Sequence, residues 1–458
     1  MKHFGILKLL LLISFLGLFS KTHSQELKRK ATIGIRMQPL NDSIVKGMNL
    51  ALNHGLYINQ VLPNSTGEKL GLKAGAVLLR FNGVETKSNQ DLFAVLTNLR
   101  DGDVVKATYL LNGVTITNST KAQGRSKETY ANANVKYDAV VYKGNKLRSI
   151  LYSPKNIIKP PVVFFIQGYI CQTVEMRPNN PAKKLINDWV DAGFAVYRVE
   201  KPGIGDSDSS KKCRDLNYNE EQIAFDEAYK VLIKNSSIDR DNIFIFGHSL
   251  GGVVAPLLAK RFMPKGIMAY GTTGKNWYDY MVDLYTTQPK LTGVSEKQIK
   301  EDNKVNLPFI KDLLVNKFSA QQILNNTSYK TFLNTELESF SRGQYLDRDI
   351  IFWQTLSNID LPNLWAQTNT NVLILYGEYD IQSINDSGSK IIVDNVNKNF
   401  KGKAIFKQID KTEHGFVKFE SMQNHLNALR TGTYWSHARE NYNKEISIET
   451  ISWMKSKI

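Results

Sequence analysis

The stretch IFIFGHSLGGVVAPLLA, residues 243–259, carries an apolar run into Gly247-His248-Ser249-Leu250-Gly251 and leaves it as an amphipathic helix. Glycines around a serine at such a strand-to-helix turn relieve crowding, so the hydroxyl can be presented into a cleft. A serine hydroxyl is a weak nucleophile at neutral pH. Acyl transfer therefore needs a base within hydrogen-bond reach and a third group that fixes the tautomer of that base. Of the seven histidines, His3 and His23 fall in an apolar leader and His54 in the first third of the chain. His248 adjoins the serine, where its side chain is expected to point away, and His425 and His437 sit in helical or irregular C-terminal sequence. His414, in Thr412-Glu413-His414-Gly415-Phe416, is left as the candidate base. The run NVLILYGEYD ends at Asp380, the candidate acid, with Glu378 as its rival; Asp410 is disfavoured because it lies only four residues from the histidine.

These residues need a scaffold that brings strand ends together. From Tyr130 onward apolar runs of strand length alternate with helical patterns, the sign of a sheet covered by helices on both faces. Strands are expected at 135–142 and 146–152, forming a hairpin across Lys143-Gly144-Asn145, then at 162–166, 195–199, 243–246, 267–270, 372–376 and 404–409. Helices are expected near 182–192 and 220–234. Open sheets of this kind place their sites at the C-terminal strand ends, where Ser249, Asp380 and His414 all fall. Between 274 and 370 the alternation gives way to helical, aromatic-rich sequence. Trp277, Tyr278, Tyr280, Phe309, Phe318, Phe332, Phe352 and Trp353 there are candidates for a pocket wall or for simple packing.

On the glycine-flanked serine, the strand-end Asp380 with His414, the loop VVFFIQGYICQ and the turn YRVEKPGIGDSD, the region 130–458 resembles α/β-hydrolase esterases and the related serine aminopeptidase-like group. The resemblance implies an α/β-hydrolase fold with a helical cap insertion over 274–370, and the chain order serine, acid, histidine. It also implies an oxyanion site built from the Leu250 N–H and the Tyr169 N–H. Gln167-Gly168 stands where many relatives read His-Gly, so the Tyr169 hydroxyl is an alternative donor to its amide. Pro202, Gly203, Gly205 and Asp206 are expected to shape a tight loop rather than to touch substrate. No cofactor is implied.

Residues 31–118 read as a small, mainly β unit. Alternating strand-like runs at 32–37, 56–61, 77–81 and 104–111 are joined by turns that include Asn82-Gly83 and Asn112-Gly113, dipeptides that supply positive φ. A helix behind a Ser88 cap carries Leu92, Phe93, Val95, Leu96 and Leu99 at helical spacing. The segments TIGIRMQPL and TGEKLGLKAGAVLLRFNG resemble the PDZ domains of bacterial periplasmic proteases, with Ala76 replacing a usual aspartate. That resemblance implies an edge strand that adds a peptide, the peptide's terminal carboxylate being held near Ile33, Gly34 and Ile35. The polar stretch 119–129 reads as a linker.

Lys2 and Lys8, an apolar run from Leu9 to Phe19 and the small-residue pattern before Gln25 have the three parts of a secretory signal peptide over 1–24. That run is too short to span a bilayer, so the mature chain is expected to be periplasmic or secreted with no transmembrane segment. The alternative is an uncleaved anchor. The net charge of +16 is dispersed and reads as solvated surface rather than a nucleic-acid footprint. Cys171 and Cys213, the two cysteines, follow consecutive strands and are expected to form a disulfide in an oxidising compartment; a CxxC metal spacing is absent, so no metal is expected.

The sequence thus predicts an exported serine hydrolase that cleaves a small carboxylic ester through an acyl-enzyme on Ser249. A serine peptidase acting on small peptides is the nearest alternative. A PDZ-centred peptide-binding protein with an inactive hydrolase domain is an alternative of another class. Every expected catalytic residue follows the linker, so a chain starting near Ser126 is expected to fold and turn over small esters.

Overall fold

The computed structural model describes residues 27–51, 54–335, 340 and 342–458. The leader expected over 1–24 lies outside them. Two bodies follow one another. In the first, β2 (Ile35–Pro39), β3 (Leu56–Val61), β4 (Val77–Phe81), β6 (Val104–Leu111) and β7 (Val114–Lys121) form an antiparallel sheet in that order, and the short β5 (Val84–Glu85) pairs with β4. The expected strand over 32–37 is divided: β1 (Ala31–Thr32) pairs instead with β8 (Gln123–Gly124), and Gly34 takes a φ of +70° between the two pieces. Asn82-Gly83 and Asn112-Gly113 both turn with positive φ at each residue, as hairpins of this kind require. The helix Asn89–Leu96 begins behind Ser88 with a reciprocal capping box to Asp91. Strand β2 is an edge of the sheet.

The second body is built on an eight-stranded sheet of order β18-β17-β14-β13-β11-β12-β10-β9. The hairpin β9 (Ala133–Tyr142) and β10 (Asn145–Pro154) joins antiparallel to β12 (Ala195–Val199). From there β11 (Val162–Ile166), β13 (Ile243–His248), β14 (Gly266–Tyr270), β17 (Asn371–Gly377) and β18 (Ala404–Ile409) run parallel. Every residue of β11, β12 and β14 is buried, which is why these strands read as unbroken apolar runs. Helices Pro181–Asp191 and Glu445–Lys455 pack on one face, while Tyr218–Leu232 and Gly251–Phe262 pack on the other. Between β14 and β17 lies a helical insertion that includes Trp277–Thr286, Glu296–Leu314 and Ile350–Leu356, with the small ribbon β15 (Gln344–Tyr345) and β16 (Arg348–Asp349). No helix among the described residues is long and apolar enough to cross a membrane.

The segment between the two bodies departs from the expected free linker. Strand β7 continues to Lys121, past the boundary expected at 118, and β8 pairs with β1. Beyond it the Glu128 carboxylate is buried against Lys183 and Arg198, receives the Tyr152 hydroxyl, and accepts the Met176 N–H at 2.5 Å. Burial alone would raise the Glu128 pKa, but Arg198 and Lys183 outweigh it and hold the carboxyl at about 2. A polar composition made this stretch look solvated, and Lys121, Arg125 and Lys127 are indeed exposed, but its one carboxylate, Glu128, is spent inside the protein.

Candidate active site

Ser249 has a φ of +56°, a strained value for a residue with a side chain. The turn exists because its neighbours carry no Cβ. One at Gly247 would lie 2.5 Å from the Gly251 carbonyl oxygen, and one at Gly251 would lie 2.3 Å from the Ile166 carbonyl oxygen. The Ser249 N–H is bonded to the Tyr270 carbonyl at 2.9 Å, and the helix Gly251–Phe262 starts immediately afterwards. Leu250 is its N-cap, so the positive end of the helix dipole lies beside the serine.

His414 follows β18 and Asp380 follows β17. The His414 Nδ1 lies 2.8 Å from one Asp380 oxygen and 3.0 Å from the other. Asp380 is buried and accepts three further bonds: the Gln382 and Ser383 N–H groups at 2.9 Å each and the Ser383 hydroxyl at 2.8 Å. Burial would raise the Asp380 pKa, but His414 and the Ser383 donors bring it below the ordinary carboxylate value. Burial would likewise lower His414, and Asp380 overcomes this to leave the imidazole above its usual pKa. Gly271, at φ +66°, closes over the pair; a Cβ there would sit 2.8 Å from the His414 ring. Glu378, the rival acid, instead accepts the Lys411 N–H at 2.7 Å. Asp410 accepts from Gln408 and is exposed.

His248 does point away from the cavity, but it is not idle. Its ring packs 4.9 Å from that of His414, and its Nε2–H donates to the His414 carbonyl at 2.9 Å. Burial drives its pKa down to about 3, so it stays neutral and supports the backbone of the candidate base. Adjacency to the serine hid this role in the sequence. His425 and His437 pack around Phe419.

Ser249, Leu250, Tyr169 and His414 line one cavity of about 280 Å³ beneath the cap. Three of the eight cap aromatics reach it: Trp277, Tyr280 and Trp353. Trp277 and Trp353 stack at 5.5 Å, and Tyr169 meets Trp353 edge-on at 5.3 Å. Phe309 and Phe352 are core of the cap, as packing alone would require. Met281, Leu284 and Leu346 complete an apolar wall, and among the described residues no Asp, Glu, Lys or Arg lines it. Pro202, Gly203, Gly205 and Asp206 do not line it either. Cys171 and Cys213 are joined by a disulfide, with Cα atoms 5.9 Å apart, which ties the loop after β11 to the loop after β12.

Comparison with known families matches residues 161–420 to the alpha/beta hydrolase fold and residues 31–122 to the PDZ domain. The chain belongs to the alpha/beta hydrolase family, and it carries an N-terminal PDZ domain. Its curated relatives are similar over a short stretch only. A probable periplasmic serine protease of Haemophilus influenzae is 33% identical over 85 residues, 19% of this chain and 18% of that protein. The periplasmic pH-dependent serine endoprotease DegQ of Escherichia coli is 31% identical over 108 residues, 22% of this chain and 24% of that protein. The chain thus spans about a fifth of the length of the curated relatives it matches. Among solved structures, Est1E of Butyrivibrio proteoclasticus with bound ferulic acid is 17% identical at a TM-score of 0.41, covering 65% of this chain and 97% of that one. An esterase of Pyrococcus furiosus is 12% identical at a TM-score of 0.41, covering 72% and 96%. Likenesses so distant say nothing of substrate.

Proposed function

We propose that the protein is an exported serine hydrolase acting on small carboxylic esters, with Ser249 as nucleophile, His414 as general base and Asp380 as the group that orients it. The observation that carries the reading is the Asp380–His414 pair closing on the same cavity as a strained serine at a strand-to-helix turn. The Ser249 Oγ attacks the ester carbonyl while His414 takes its proton. The resulting oxyanion is met by the Leu250 and Tyr169 N–H groups, and collapse expels the alcohol with the proton returned by His414. Water then repeats the sequence on the acyl-enzyme and regenerates Ser249.

The cavity supports an ester of an uncharged, short-chain or single-ring acyl group. An aminopeptidase must pair the free ammonium of its substrate, and among the described residues no carboxylate lines this wall. The raised His414 implies that activity falls as pH drops through a value above the ordinary imidazole range, because the protonated base cannot accept the serine proton. The PDZ domain supports peptide binding, and the exposed edge of β2 beside Ile33-Gly34-Ile35 is its proposed docking strand. The test is Ser249→Ala with a fluorophosphonate probe and a panel of acyl esters and aminoacyl amides. Turnover of esters and labelling of wild type only are expected. Full labelling of Ser249→Ala would reject the nucleophile, and preference for aminoacyl amides would establish the peptidase instead.

A further inference from the structure

The acyl-transfer reading asks the Tyr169 N–H to face the serine, and the peptide groups on either side of Tyr169 are held by two buried cations. The Lys201 ammonium donates to the Gly168 carbonyl at 2.6 Å, and Arg348 Nη1 donates to the Tyr169 carbonyl at 2.7 Å. Glu221 bridges them, with one oxygen 2.8 Å from Lys201 and the other 2.8 Å from Arg348. All three side chains are almost wholly buried. Arg348 is fixed further by stacking on Phe352 at 3.6 Å.

In a trans peptide the C=O and the following N–H point in opposite directions. Anchoring the Gly168 oxygen on Lys201 therefore turns the Tyr169 N–H to the other side of that plane, and anchoring the Tyr169 oxygen fixes the next plane. A Cβ built on Gly168 falls 3.3 Å from the Ser249 Oγ, so this strip of backbone borders the nucleophile itself. We infer that Lys201, Glu221 and Arg348 form a positioning cluster that prevents the 168–169 peptide from flipping and so keeps the oxyanion donor in place. Lys201 follows β12, Glu221 lies on the helix Tyr218–Leu232 and Arg348 belongs to the cap. Docking of the cap and completion of the oxyanion site are thereby one event.

The sign of the charge agrees. Two cations share one carboxylate, leaving a buried positive excess behind the place where negative charge develops. Burial lowers the Lys201 pKa to about 8, with Glu221 opposing that shift and Arg348 adding to it, so the ammonium persists at neutral pH.

The test compares Lys201→Met and Arg348→Met with wild type. Each leaves a neutral ion pair on Glu221, so the fold has no orphaned buried charge. Losing an oxyanion donor costs about 10²–10³ in kcat, and a misaimed one should cost at least about tenfold. KM should stay within roughly threefold, and affinity for a boronic acid that mimics the tetrahedral species should fall by the same factor as kcat/KM. If Arg348→Met does not fold, Lys201→Met carries the same expectation. A wild-type-like kcat in both variants, or a lowered melting temperature with unchanged boronate affinity, would overturn the cluster's role. Those outcomes are distinct from failure of the acyl-transfer reading, in which wild type itself would neither label with fluorophosphonate nor bind boronate.

Discussion

Arg29 lies on the segment leading into the PDZ domain, where its carbonyl accepts the Asp101 N–H at 2.8 Å, and its side chain reaches the hydrolase. Removing that side chain gives a quantitative test of how firmly the two are joined. Its side chain is buried, with one guanidinium nitrogen 2.7 Å from Glu175 and another paired with Asp206. It also donates to the Arg125 and Ser126 carbonyls at 3.1 and 3.0 Å. Breaking a buried pair by deleting one partner costs about 3–5 kcal/mol, because the surviving charge is left without compensation. Here the survivors keep some support: Asp206 retains Arg148 at 2.9 Å and the Lys30 N–H at 2.8 Å, and Glu175 retains the Tyr137 hydroxyl at 2.6 Å. Arg29→Met should therefore sit near the low end, about 3 kcal/mol. A chain beginning at Ser126 would lose Arg29, the Lys30 N–H and the Arg100–Asp208 pair together, so it should be markedly less stable than the sequence expectation of independence allows.

The assay is urea unfolding of the full chain for Arg29→Met, Glu175→Gln and the double variant, with hydrogen exchange on β1 to report release of the PDZ domain. The cycle should show a coupling of roughly 1–3 kcal/mol between neighbours that share a buried contact. Arg80→Ala, which breaks the exposed Arg80–Glu85 pair, is the control and should change nothing measurable. Glu175 lies in the same loop as Tyr169 and Cys171, so kcat/KM should drop as well. A coupling below about 0.5 kcal/mol, or a truncated chain as stable and active as the whole, would refute the argument and restore an independent tether.

Asp380→Asn should cut kcat strongly and move the acid limb of the pH profile to lower pH, since the carboxylate is what raises His414; an unmoved limb would deny the pairing. Replacing Cys171 and Cys213 by Ser opens a loop of sequence separation 42 and should lower unfolding free energy by about 3–4 kcal/mol on the chain-entropy estimate, measured by urea unfolding under oxidising conditions. Glu200 is buried and its pKa is raised to about 7, chiefly by desolvation. The folded state then binds more protons than the unfolded one between the ordinary carboxylate value and about 7, so stability should fall as pH rises through that window. Glu200→Gln should flatten this decline in a series of melting curves; an unchanged slope would mean that Glu200 is ionised in the fold.

The strands that carry the site were legible because burial on both faces leaves an unambiguous mark. The runs at 162–166 and 195–199 coincide with the wholly buried β11 and β12, while 404–409 coincides with β18, an edge strand only partly buried. Ser249 was legible for a different reason, since a strained turn needs glycines at fixed offsets and those survive in the sequence as a pattern. Strand β7 was signalled only by its Asn112-Gly113 turn: its own residues are mostly exposed at a sheet edge, and polar residues there carry little periodicity.

What stayed hidden was pairing at long range. Lys201, Glu221 and Arg348 are separated by 20 and 127 positions, and each alone looks like one more surface charge on a basic protein. The same holds for Arg29 with Glu175 and for Glu128 with Arg198. A net charge of +16 invites the view that cations face water, yet the charges that position the candidate site are those withdrawn from it. Burying an ion is unfavourable unless partner and geometry are both supplied, so such clusters form only where the fold already fixes both ends. In this chain they form around the loop that follows β11. Lys201 and Arg348 hold its peptide groups, the disulfide ties Cys171 to the next loop, and Glu175 receives Arg29 from the segment that leads into the PDZ domain. A loop restrained from the cap, the sheet and the N-terminal domain has little freedom of its own, and a change in any one of the three should be felt at Tyr169.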